Sequence, residues 1–365
     1  MPWSAPFPLL SPRHWHAAVL LEDGQVLLSG GCHERDPPNG SGVPYTFRDS
    51  IAAAEVVDPI RRVSRAVRPM RRPRQAHAAA RSADGKVIAV AGVRDVRADP
   101  EDGGGIQALG SAEVWDPDSD VWSDGAWLVP SRYNPSATQL RDGRLLIAGG
   151  GTRHVEGVRC DVGGAAGWRR TGDLHHRRAF HAAVMLSDGR VLVAGGQGPD
   201  GAARGHLDHE LDSVEIWDPV SETWSVAAPL RLARVQASAV LLADGRVMVL
   251  GGRSYTAPHV STELFDPRTG TWSDTGRTVY ARSQPTATVL LDGRVLVVGC
   301  SSPEHGALVA ELWDPATGEW TCDSDRMAEP RFWHTATALP DGGVLVAGGT
   351  WDTDESSRFA QVWRP

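Results

Sequence analysis

Lysine is nearly missing from this chain: among 365 residues there is one, Lys86. It falls in a predicted hairpin turn, so Schiff-base chemistry has no good candidate. Cysteine is sparse too. Cys32, Cys160, Cys300 and Cys322 lie far apart with no CxxC spacing, which excludes a zinc ribbon, a redox dithiol and a disulfide-stapled secreted scaffold; the expectation is four free thiols in a reducing, cytoplasmic compartment. No apolar run approaches the ~20 residues that span a bilayer, and no basic n-region with an apolar h-region opens the chain. No membrane partner is therefore expected. GxSxG, HExxH and a phosphate-binding glycine loop are all missing. The net charge of −8 gives no basic footprint, so no nucleic acid is expected either. One Arg-rich stretch, Ile60 to Arg74, reads as a charged sheet edge that discourages pairing with another chain.

Repetition is what the chain has in abundance. "RHWHAAVLLEDGQVLLSGG" at residues 13–31 returns as "RFWHTATALPDGGVLVAGG" at residues 331–349. Aligning on the leading Arg and the Asp-Gly turn gives seven units, which start at Arg13, Arg74, Arg132, Arg178, Arg234, Arg282 and Arg331. A period near 50 residues is a propeller or array signature. Each unit parses as a short apolar run, Asp-Gly, a second run ending in Gly-Gly, a variable insert, a third run such as "SVEIWDP", and a fourth around "TWS". Asp-Gly between β-prone runs is a hairpin, and four antiparallel strands per unit make a blade.

Four apolar residues, Gly-Gly, a later aromatic and then Trp resemble the kelch repeat, in phase across almost the whole chain. The expected fold is all-β: a seven-bladed kelch propeller, residues 1–365 forming one domain. The last unit stops after its third strand, while "PWS" at the N-terminus matches the missing fourth. The N-terminal strand is therefore expected to close the last blade, with Trp3 in its outer strand. The resemblance leaves activity open, because one fold hosts unrelated functions.

Function in a propeller gathers where loops converge, here on the face that carries the start of each first strand and the long inserts at 32–50, 93–110 and 197–212. An Arg in every unit, matched by Glu55, Glu113, Glu215, Glu263 and Glu311 at the third strand, reads as a structural ion pair. Three residues after each Arg stand His16, His77, Pro135, His181, Ala237, Pro285 and His334. Two residues after it the column is irregular: Trp15, Ala76, Asn134, Phe180, Gln236, Gln284 and Trp333. Variation inside a regular repeat is what a ring of ligand-facing side chains looks like. The propeller of galactose oxidase resembles this chain, and its copper ligands fall in these two columns, which implies that they face the central opening. No Tyr stands in the first column and no Cys in the second, so the tyrosyl-radical copper site has no counterpart and a non-oxidase is expected.

Tryptophan sharpens the site. Ten of the fourteen occupy third- or fourth-strand slots and read as core; Trp15, Trp127, Trp333 and Trp351 do not. The candidate ligand-binding set is Trp15, Trp333, Trp351, Phe332, Phe180, Asn134, Gln236, Gln284, His33 and His181, with His14, His16 and His334 as candidate acid–base groups. Whether the first-strand histidines are catalytic or structural stays open. "GHLDHELD" groups His206, Asp208 and His209, types that bind divalent metals, but a solvated loop is the plainer reading. Plant specifier proteins, similar in blade pattern, carry iron on a Glu-x3-Asp-x3-His loop, a spacing missing here. No metal or other cofactor is expected. The reading adopted is a metal-independent small-molecule enzyme of isomerase, cyclase or lyase type, monomeric and, from its Arg dominance over Lys, bacterial. A non-catalytic small-molecule or glycan binder and a protein-interaction scaffold are the alternatives.

Overall fold

The computed structural model describes residues 2–33, 49–96, 105–128, 130–151, 157–199, 208–254, 257–300, 308–351 and 356–365. They form seven four-stranded antiparallel sheets and three two-stranded hairpins. Blade 4 illustrates the pattern, from inside outward: Ala182–Met185, Val191–Ala194, Val214–Asp218 and Thr223–Ala227. The Asp-Gly turn works as its chemistry requires. Asp188 Oδ1 accepts the Arg190 N–H at 3.0 Å, and Gly189 takes φ 93°, a value that suits glycine.

Burial follows position in the blade. Second strands such as Val26–Ser29 and Val191–Ala194 are buried at every residue, since both their faces meet neighbouring blades. Fourth strands such as Val63–Val67 are largely exposed. The apolar core is divided into seven clusters, one at each seam between adjacent blades. A third-strand aromatic wedges into the seam with the preceding blade at Trp115, Trp217, Phe265, Trp313 and Trp363.

The ring closes as expected. Phe7–Pro8 pairs with Phe359 and Ala360 of blade 7, and Trp3 bridges Trp363. Gln361 Nε2 donates to Ser4 O at 3.0 Å, which ties the two chain ends together.

Every leading Arg is buried and clamps its own blade. Arg178 Nη1 donates to Gly195 O and Ser213 O at 2.8 and 2.9 Å, and its Nη2 meets Glu215 Oε1 at 2.8 Å. The same pairing recurs at Arg13–Glu55, Arg74–Glu113, Arg234–Glu263 and Arg282–Glu311. Blade 3 uses Asp161 for Arg132. In blade 7 Gln361 occupies the acid's slot, and Glu329 pairs with Arg331 at 2.9 Å instead. The fingerprint Arg thus holds the second-strand Gly-Gly against the third strand and fixes the start of each first strand.

Candidate functional site

The irregular column has one backbone feature in common. Trp15, Ala76, Asn134, Phe180, Gln236, Gln284 and Trp333 all adopt φ between 48° and 59°. Left-handed backbone disfavours side chains other than Gly, Asn and Asp, at a cost on the order of 1 kcal/mol each. A main-chain belt helps hold them there: Trp15 N–H donates to Trp333 O at 3.2 Å, Ala76 N–H to Trp15 O at 2.9 Å, and Gln236 N–H to Phe180 O at 3.0 Å. Consecutive blades thus bond through this column, and all seven residues are only half-buried.

At the seam of blades 7 and 1 the belt carries aromatics. Trp15 and Trp333 meet edge to face with centroids 4.6 Å apart. Phe332 joins Trp333 at 4.7 Å, and the His14 ring stacks on Trp333 at 5.6 Å. Gln284 follows in blade 6; its buried Oε1 and the buried Ser283 Oγ have no hydrogen-bond partner among the described residues. Gln236, in blade 5, accepts from Arg253 Nε at 3.2 Å. Asn134 and Phe180 lie in the column in blades 3 and 4. Trp351 is 36% exposed, and no ring contact joins it to Trp15 or Trp333 among the described residues. His33 is half-buried, where Cys32–His33 pairs with Asp49–Ser50 at the base of the blade 1 insert.

The histidine column does different work. His16 Nε2 meets Thr335 Oγ1 at 2.9 Å, His77 Nε2 meets Ser29 Oγ at 3.2 Å, His181 Nε2 meets Ser136 Oγ at 2.8 Å, and His334 Nε2 meets Thr286 Oγ1 at 2.8 Å. Each bond reaches the preceding blade. Burial, reinforced by nearby Arg charges, pushes His16 and His77 well below the usual imidazole range and His181 and His334 down to about 3. Near neutral pH these four rings are uncharged ties between blades.

His14 stands apart. It is fully buried; Nε2 lies 3.0 Å from Cys32 Sγ and Nδ1 lies 2.7 Å from Ser356 Oγ. The main-chain bridge between His14 and Cys32 makes this pair; among the described residues the same bridge recurs in five other blades, where it sets the residue after the leading Arg opposite the one that follows the end of the second strand's glycine turn. Sequence reasoning had His14 but not its partners, because 18 and 342 residues separate them. The four cysteines form no disulfide, and Cys322 alone is exposed.

His206 lies outside the described residues, and of Asp208 only the backbone is described. His209 is exposed on a short hairpin. Among the described residues no group of three or more His, Cys, Asp or Glu is arranged to hold a metal, and no helix is long and apolar enough to cross a membrane.

The family model described as the kelch motif matches residues 178–231, the span that opens at the leading Arg of blade 4. Among solved structures, a similar chain is the "Novel fungal alcohol oxidase with catalytic diversity among the AA5 family, in complex with copper", with a TM-score of 0.74 and 18% identity over 100% of this chain and 76% of that one. At that identity the likeness is one of fold. Blade architecture and closure make the chain a seven-bladed β-propeller, and blade 4 carries a kelch motif.

Proposed function

We propose that the opening where blades 7 and 1 meet binds a small molecule with a planar or sugar ring, and that binding without turnover is the function. The observation that carries this reading is the half-exposed indole pair, Trp15 and Trp333, held on a rigid belt. Indole faces and edges supply apolar contact area at little conformational cost. Gln284 continues the column in blade 6, and its Oε1, buried and without a partner among the described residues, is a further acceptor whose part in binding Gln284→Leu tests. Neutral His16 and His334, already engaged with threonine hydroxyls, are weak proton acceptors near pH 7, which favours binding over acid–base turnover.

The test uses p-nitrophenyl glycosides, which offer both ring types, in saturation-transfer NMR. Trp333→Ala is expected to abolish the signal while costing about 2 kcal/mol of stability, roughly half the penalty of a fully buried Trp. Binding unchanged in both Trp333→Ala and Gln284→Leu, or no binding of any glycoside, refutes the reading.

A second reading, an isomerase, cyclase or lyase working by acid–base transfer, is supported by the Cys32–His14–Ser356 chain, in which a thiol and a hydroxyl flank one imidazole. Product formed from the same glycosides by the wild type, and lost in Cys32→Ser while binding persists, selects it.

A further inference from the structure

Blade 3 breaks the aromatic rule. In four blades a third-strand aromatic faces a fourth-strand Trp across the ladder: Trp115 with Trp122, Trp217 with Trp224, Phe265 with Trp272, and Trp313 with Trp320. The first and third of these pairs have ring centroids 6.4 and 5.0 Å apart. In blade 3 the register partner of Trp168 is Gly163. The turn is shortened as well: Gly164 pairs with Gly167 across two residues, where blade 2 spaces Asp116 from Val121 across four. Blade 1 also departs, with Val57, but Phe7 and Leu9 of the N-terminal segment share its cluster. Blade 3 has no such substitute.

The result is a cleft of about 680 Å³ between blades 2 and 3, on the face of the Asp-Gly turns. Its apolar lining includes Ile88, Val162 and Trp168, and the cluster at this seam contains no other aromatic side chain. Two arginines at the rim are already engaged, Arg144 by Asp142 and Arg169 by Glu222, so the cleft does not call for an anion. The chain cannot refill the gap by simple replacement at Gly163, whose added Cβ would lie 2.1 Å from Gly167 O.

We propose that this seam binds a small, neutral, planar aromatic molecule, which takes the place that a third-strand aromatic takes in the other blades and packs beside Trp168. The lining also carries Ser82, Asp84, Asp142, Arg144 and Arg169, so the ring packs on the apolar wall while these polar groups stay hydrated beside it. The site is separate from the central opening and does not depend on its function.

Indole is the probe, and the readout is the side-chain N–H resonance of Trp168, assigned with Trp168→Phe. A saturable shift of that resonance is expected in the wild type and in Trp333→Ala alike. Gly164→Leu should block it, because Gly164 has open backbone geometry and its Cβ would make an ordinary 3.7 Å contact with Ile88. At least tenfold weaker binding is expected, with a melting temperature unchanged or higher. Where Gly164→Leu does not fold, Ala83→Leu narrows the cleft from the blade 2 wall. No saturable shift up to the solubility of indole, or equal affinity in the filled variant, overturns the proposal.

Discussion

Removing Arg178 should show how much one buried clamp contributes to the ring. Its guanidinium satisfies Gly195 O, Ser213 O, Ser213 Oγ and Glu215 Oε1 at 2.8 to 2.9 Å, and neither charged side chain is exposed. Arg178→Ala leaves a buried carboxylate with the main-chain N–H groups of His175 and His176, the His175 ring at 2.9 Å and the His176 ring at 3.4 Å as its remaining neighbours. Breaking a buried pair from one side costs about 3–5 kcal/mol, chiefly for the stranded charge. The pH dependence separates this cause from a packing defect. Burial by itself would raise the Glu215 pKa, but the His175 N–H and the Arg178 charge outweigh it and hold the carboxyl below its ordinary value of 4.5. In the wild type this contribution is present above the unfolded pKa and is lost as pH falls through the folded one. In the variant burial dominates and the carboxyl pKa rises, so the deficit is largest at neutral pH, starts to narrow as pH falls through that raised pKa, and closes further below about pH 4.5 as the wild type loses its own contribution. Urea unfolding followed by tryptophan fluorescence and far-ultraviolet dichroism at pH 7 and pH 4 measures both numbers. A loss under 1 kcal/mol at pH 7, or a deficit that does not narrow at pH 4, refutes the stranded-charge argument.

Deleting residues 1–11 removes Phe7, Leu9 and the Trp3–Trp363 bridge and exposes the edge of blade 7; a lower melting temperature and association in light scattering are expected, and an unchanged melt with a monodisperse chain counts against closure by this strand. His16, His77, His181 and His334 are held neutral in the fold while the unfolded chain protonates near pH 6.5, so they bring a stability loss as pH falls below about 6.5. Their imidazole resonances should stay flat between pH 8 and 5, and a midpoint near 6.5 for any of them contradicts the burial argument.

The scaffold was legible because each of its devices is local and repeated. Asp-Gly, Gly-Gly and the leading Arg sit within one unit and recur in phase, so the strands, the turns and the Arg–Glu pairs could all be placed from spacing. What escaped notice depends on contacts between units. Nothing at Trp15 or Phe180 announces left-handed backbone, since neither is a residue type that favours it; the belt of main-chain bonds across blades selects it. Cys32 and Ser356 meet at His14 through two different turns of the ring. Glu329 replaces the acid of blade 7 from the segment before Arg331, because Gln361 in the regular slot bonds to Ser4 O.

The departures from the repeat fall where physical chemistry gives them something to do. Five blades keep an aromatic wedge at the third strand, and a wedge that could be lost without consequence would be expected to leave a collapsed seam. Blade 1 shows the structural remedy: Val57 takes the slot and Phe7 restores the apolar volume. Blade 3 shows the other outcome, a glycine whose Cβ position is blocked by Gly167 O, a shortened turn, and an open cleft beside a retained Trp168. The blade 7 and blade 1 seam presents the opposite departure: two indoles appear in a column that elsewhere holds alanine, amides or one phenyl ring, at backbone angles that cost energy to maintain. Repeats give each blade an internal control. A feature found at one seam and missing from the other six has no scaffold duty common to the ring, so altering it should change binding more than folding, and Trp333 and Gly164 are the two positions where that distinction can be measured.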